Sequence, residues 1–246
     1  MSGVPCRLTE AVVLDLWERG LAEVPAARRL LLAAAAAPTG QGAADLPLGT
    51  LNSLLLELRC AAFGDALPCA ADCPACGESL DVTVTAAELL PPPSGGADDT
   101  DAAAEPTTGS LTALGATVTF RAITARDAAA VDPASPGARQ TLLRRCVVDV
   151  SPPADLPDEV LEEVARRLAD LDPGADPLLL LDCPFCHHRW TASLDVAEHL
   201  WTDVSGCARR ILHEVHALAR AYGWSEADVL SVSPVRRRFY LEVSAG

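Results

Sequence analysis

Two Cys-Pro-x-Cys segments, Cys73-Pro74-Ala75-Cys76 and Cys183-Pro184-Phe185-Cys186, constrain this chain more than any other feature. Together they supply four thiolates, the donor set of a closed tetrahedral zinc site. Each is followed by a residue where the chain can turn back, Gly77 or His187. An alternating stretch that reads as a strand comes next, Asp81 to Thr85 and Trp190 to Leu194. The pattern is that of a zinc ribbon in two pieces. Compact ribbons place roughly 15–20 residues between the inner cysteines, whereas here 106 residues separate Cys76 from Cys183. A whole subdomain is expected in that interval. Four thiolates leave no open position for water or substrate, so one structural zinc per chain is expected, with Cys73, Cys76, Cys183 and Cys186 as ligands.

Other readings of these cysteines stay open at this point. A thioredoxin-like redox pair also uses Cys-Pro-x-Cys, but both copies here run into strands rather than a helix N-terminus. Cys69, His187 and His188 are each close enough in sequence to replace one thiolate. Disulfides fit poorly with an odd total of nine cysteines and with a Met1-Ser2-Gly3-Val4-Pro5 start that lacks a charged, apolar leader, so a reducing cytoplasm is expected. Cys6, Cys60, Cys146 and Cys207 read as small apolar groups.

Half of the 246 residues are hydrophobic, enough for a substantial core, and no apolar run reaches the roughly 18 residues of a membrane span. All 19 cationic residues are arginines, and with the alanine and proline excess this reads as the codon bias of a GC-rich bacterial genome. A net charge of −15 repels phosphate backbones and weighs against nucleic-acid binding, the commonest work of zinc ribbons.

Patterning divides the chain into six parts. Residues 1–67 read as three helices: one from Glu10 capped by Thr9, one with Pro25 at its first position, and one over Thr50 to Ala62 with Leu51, Leu54, Leu55 and Leu58 on a stripe. Residues 68–90 form the first ribbon half, and 91–110 an acidic, Pro/Gly-rich loop. An inserted α/β subdomain is expected over 111–177, with a strand over Ala116 to Ala122 and helices over Asp127 to Val131, Thr141 to Val148 and Leu156 to Leu171. Residues 178–197 are the second ribbon half, entered by a buried strand at Leu178 to Leu181. Residues 198–246 are helical. Leu200, Trp201, Val204, Cys207, Ile211, Val215, Leu218 and Tyr222 form an apolar stripe, with Asp203, Arg209, Arg210, Glu214 and Arg220 facing away, and Ser225 opens a further helix. Near the C-terminus, Trp224, Arg236, Arg237, Arg238, Phe239 and Tyr240 gather the residue types that dominate interface energetics, a candidate partner contact. The expected class is α+β: helical N- and C-terminal parts around a split four-cysteine zinc ribbon with an inserted α/β subdomain.

The order of these segments resembles a known family. Leu16-Trp17-Glu18-Arg19-Gly20, Leu46-Pro47-Leu48-Gly49, Phe63-Gly64-Asp65, Cys73 to Gly77, the second knuckle with Trp190, His213-Glu214-Val215-His216 and Tyr222-Gly223-Trp224-Ser225-Glu226 are similar to the zinc-knuckle baseplate proteins of tailed phages and contractile injection systems, some of them annotated after the hub assembly proteins of T-even phages. The resemblance implies a non-enzymatic structural or assembly role beside other baseplate proteins of the wedge or hub, in the cytoplasm, with no small-molecule substrate. Departures are the longer acidic insertion and His187 in place of a glycine.

Enzymatic motifs are sparse. His213 and His216 stand a residue too close for His-Glu-x-x-His and read as a polar helix face. A lysine-free chain has no Walker lysine, and Asp98, Asp99 and Asp101 lack calcium-loop spacing. The alternatives to the baseplate reading are a zinc-ribbon regulator or nucleic-acid-associated adaptor, and a redox dithiol protein.

Overall fold

The computed structural model describes residues 8–37, 42–89 and 108–244. Cys6 and the acidic loop expected over 91–110, as far as residue 107, lie outside them. Helix α1 (Glu10–Gly20) starts at Thr9, whose Oγ1 accepts from the Val12 amide, and α2 (Pro25–Ala36) has proline at its start, where the missing amide costs nothing. Helix α3 (Leu48–Phe63) begins two residues before the expected Thr50. Its Pro47 N-cap has no side-chain acceptor, and the Gly49 amide is instead received at 2.9 Å by Asp172, from far along the chain. Strands β1 (Ala66–Asp72) and β2 (Ser79–Thr85) form an antiparallel hairpin, followed by a turn of helix, α4 (Ala86–Leu89). The strand thus starts at Ala66, inside the segment expected to be helical.

Next come β3 (Thr108–Ala113), β4 (Ala116–Arg121), α5 (Ala125–Ala129), α6 (Ala138–Cys146), β5 (Val147–Ser151) and α7 (Asp158–Leu171). The strands make one antiparallel sheet in the order β3-β4-β5. Val147 and Val148, expected to be helical, belong to β5, because Val147 pairs with Phe120 and Val150 with Val118 and the open edge of β4 is thereby filled. A second hairpin, β6 (Leu178–Asp182) with β7 (Arg189–Ser193), leads straight into α8 (Val196–Tyr222), then α9 (Glu226–Ser231) and α10 (Pro234–Ser244). The Leu178 to Leu181 run is a strand but not a buried one. In a two-stranded sheet alternate residues face solvent, and Leu178 and Leu180 are 59% and 79% exposed.

The largest core lies where α8 packs against α1, α2 and α3, with Leu200, Trp201, Val204 and Ile211 meeting Val13, Leu32, Leu51 and Leu55. Leu67 and Val84 fasten the first hairpin to it. Gly20 lets α1 and α8 approach closely: a Cβ there would sit 2.3 Å from the Trp201 ring. A second cluster joins Val118 and Phe120 of the three-stranded sheet to Leu143 of α6 and Leu161 and Val164 of α7. The two clusters meet at Asp172 and Gly174, which press against Gly49, and at Asn52, whose Nδ2 donates to the Gly174 and Ala175 carbonyls at 2.9 and 3.2 Å.

Asp127 is the most heavily bonded carboxylate of the second region. It closes a capping box with Thr124, receives both Arg121 terminal nitrogens at 2.6 and 3.0 Å, and lies 3.3 Å from Arg145. Burial alone would raise its pKa; the Arg121 and Thr124 bonds outweigh it and hold the carboxyl at about 2, below the ordinary 3.8. A depressed carboxylate stabilises the fold above its unfolded pKa and ceases to as pH falls through its folded one. This shift corresponds to about 2 kcal/mol, present above pH 4 and lost toward pH 2. Asp127→Asn is expected to cost about that much at neutral pH in urea titrations, and the gap from the parent chain to narrow below pH 3; a constant gap would assign the effect to packing.

Candidate metal centre

The two hairpin tips are the same turn built twice. In the first, the Cys73 amide donates to the Glu78 carbonyl at 2.9 Å and the Gly77 amide to the Cys73 carbonyl at 2.8 Å; in the second, Cys183 donates to His188 and His187 to Cys183, both at 2.9 Å. The turn requires a left-handed residue, supplied by Gly77 (φ +75°) and by His187 (φ +57°). Histidine adopts that conformation at some cost in strain, so the second tip keeps the geometry of the first without its glycine.

Facing each other, the tips gather the Sγ atoms of Cys73, Cys76, Cys183 and Cys186 within 4.8 Å of one another, a group that could hold a metal ion. The Cys73–Cys186 and Cys76–Cys183 sulfurs are both 3.6 Å apart. Cys73 and Cys183 are buried, Cys76 and Cys186 exposed. Leu80 packs on the buried pair, with Val82 and Trp190 at its margin, and the His188 ring stacks on Trp190 at 6.1 Å. Burial disfavours the Cys73 thiolate, yet the Cys76 and Ala75 amides hold its pKa down to about 7. At Cys76 the Glu78 amide favours the thiolate, but burial and the three other sulfurs prevail and push it up to about 12. Four sulfurs this close cannot all ionise without a cation among them, and a cation would draw off the protons.

Cys69, considered as a substitute ligand, turns instead toward the Leu67 carbonyl and packs on the main core. His187 and His188 lie outside the ligand group. Cys146 is fully buried, with its thiol pushed up to about 11 by burial, while Cys60 and Cys207 are half-buried. His213 and His216 are exposed on α8. An apolar cleft of about 590 Å³ lies between α6, α7 and β6, lined by Leu142, Leu168, Ala169 and Leu178. Of its two carboxyl groups, Asp172 is raised by burial and already accepts the Gly49 amide, and Asp176 accepts the Ser193 hydroxyl.

The C-terminal candidates divide. Trp224, Tyr222 and Tyr240 form an aromatic cluster with ring centroids 5.1–5.9 Å apart, with the Tyr222 hydroxyl donating to the Tyr240 carbonyl. Arg236, Arg238 and Phe239 are exposed. Arg237, grouped with them as a surface contact, is only 1% exposed: its guanidinium reaches Glu10 of α1, Glu214 of α8 at 3.0 Å and the Val232 carbonyl at 2.9 Å. Glu214 and Asp203, expected to face away from the core, therefore point inward, Asp203 meeting Arg59 at 3.0 Å. Arg59 also donates to the Gly64 and Ala66 carbonyls, fixing the turn from α3 into β1. Its signal in the sequence is an arginine four residues after Leu55 on an apolar stripe. Comparisons of the chain with protein-family models, curated proteins and solved structures find no match.

Cys183→Ser, or metal removal by a chelator, is expected to lower the melting temperature sharply and expose thiols to a titrating reagent; unchanged melting would show the tips to be stable without metal. His187→Gly should retain the metal and gain up to about 1 kcal/mol. Arg237→Glu should destabilise by about 3–5 kcal/mol, as the loss of a buried charge partner does. A melting curve like that of the parent chain would place the side chain in solvent instead.

Proposed function

We propose that the chain is a non-enzymatic structural or assembly component of a phage-tail-like contractile injection system baseplate, stapled by one structural zinc. In this reading the hairpins are the halves of a zinc ribbon, and residues 111–177 are the subdomain inserted between them. Zinc fits the donor chemistry. Four thiolates on bonds of about 2.3 Å sit roughly 3.8 Å apart in a tetrahedron, and the two close sulfur pairs are 3.6 Å apart. The ligand shell is then closed, which suits a staple rather than a catalyst.

The observation that carries the functional reading is where the segments of the resemblance fall. Most of them sit at joints between elements, His213 to His216 in the body of α8 being the exception, and they are not gathered around one cleft. Gly20 meets Trp201, Gly49 meets Gly174, Asp65 accepts the Ala86 amide, and Gly223 and Ser225 turn α8 into α9. A sequence signature made of joints preserves a shape, and a shape is what an assembly part offers its neighbours. Those neighbours are other baseplate proteins, in the cytoplasm where the particle is put together.

The test is mass spectrometry of purified contractile particles from the source cells, with negative-stain microscopy of cells carrying and lacking the gene. The expected result is co-purification with wedge or hub proteins and loss of complete particles on deletion. Normal particles without the gene, combined with salt-sensitive binding of the pure protein to DNA or RNA, would replace this reading with that of a nucleic-acid adaptor.

A further inference from the structure

Charge is distributed unevenly along the chain. Residues 196–246 contain six arginines and six carboxylates, so the whole net charge of −15 resides in residues 1–195. Among the described residues, the arginines with no carboxylate at salt-bridge distance are Arg144 and five on the C-terminal helices: Arg209, Arg210, Arg220, Arg236 and Arg238. Arg236 and Arg238 share α10 with Val235, Phe239 and Val243, which are spaced four apart on one face and 83%, 62% and 59% exposed, whereas Arg210 lies beside the first hairpin. The exposed surface of α10 is apolar and carries two arginines, Arg236 and Arg238, against one carboxylate, Glu242.

The hairpin end is the reverse. Leu178, Leu180 and Phe185 are 59%, 79% and 66% exposed, and exposed Asp72, Glu78, Asp81 and Asp176 have no arginine partner among the described residues. The only cation of the two hairpins, Arg189, is engaged by Asp182. Helix α8 connects the two ends. β7 stops three residues before it begins, and α10 packs on its final turns through Arg237–Glu214 and Tyr222–Tyr240. Its 27 residues rise about 40 Å. Among the described residues no hydrogen bond or ion pair joins α10 to either hairpin within one copy, whereas two copies can satisfy each other.

We infer that the chain self-associates head to tail, the basic apolar face of α10 of one copy docking on the acidic apolar hairpin end of the next. Leu180 and Phe185 meet Phe239 and Val243, ringed by Arg236 and Arg238 against Asp72, Asp81 and Glu78. The two faces differ, so the contact is heterologous and either closes into a ring or propagates. It rests on the charge and apolar patterns of the two faces and does not depend on the baseplate reading.

Sedimentation velocity of the full chain with zinc supplied tests this. At about 0.1 M salt the mass should rise with concentration, with a Kd on the order of 10–100 µM as befits small patches, and the association should weaken at least about tenfold near 0.5 M. Arg236→Glu/Arg238→Glu and Leu180→Ser/Phe185→Ser should each be monomeric, with metal content and melting unchanged. Mixed in equal amounts, they should form a dimer that grows no further, because each retains one intact face. If a double variant melts early, the single changes Arg238→Glu and Phe185→Ser take its place. A parent chain that stays monomeric over this range, a variant that associates alone as the parent does, or a mixture that stays monomeric would overturn the inference.

Discussion

Burial of one face of α8 against three helices from the opposite end of the sequence underlies everything else in this molecule. Leu200, Trp201, Val204 and Ile211 have nowhere to go but into the groove formed by α1, α2 and α3, and at about 1.5–3 kcal/mol for each large side chain fully buried the contact is the main source of cohesion. The register of that contact is set by Gly20, whose missing side chain admits the Trp201 ring. Because β7 runs into α8 and α3 runs into β1, seating the helix also brings the two hairpins side by side. The four-sulfur cluster is thus a consequence of helix packing before it is a cause of stability, and the metal it can hold would lock an arrangement that the core has already selected.

Buried arginines complete this frame. Arg59 ties the end of α3 to α8, and Arg237 ties the start of α1, the body of α8 and the α9–α10 corner at a single point. Each guanidinium has partners at several of its five donors, as a charge removed from water requires. The contrast with Arg236 and Arg238 is instructive. Three adjacent residues on one helix turn by about 100° each, so the middle one can face the core while its neighbours face solvent.

Local chemistry was legible from the sequence, and distant pairing was not. The Cys-Pro-x-Cys hooks announce a thiolate cluster because ligand spacing is a property of a few consecutive residues. The capping box at Ser225 and the apolar stripe of α8 are likewise short-range patterns, and the helices appear close to where they were expected. Arg237 could not be told from its neighbours, since its partner Glu10 lies 227 residues away. The four leucines of β6 read as buried because a continuous apolar run usually is; only the two-stranded sheet, with one face turned outward, makes Leu178 and Leu180 surface groups. Val147 and Val148 look helical in isolation and become a strand because β4 offers an edge. The start of α3 depends on Asp172, which no local pattern could supply.

The separation of the two hooks also imposes an order of events on synthesis. Cys73 and Cys76 leave the ribosome while their partners are still about 110 codons away, an interval of roughly 5–20 s at ordinary elongation rates. During that time the first hairpin has only half a ligand set, and α1 to α3 expose the groove that α8 will fill. The nascent chain must keep two thiols reduced and an apolar groove unclaimed until α8 has been made. Its vulnerability to oxidation and to premature partners is therefore concentrated in the chain still being made rather than in the finished one.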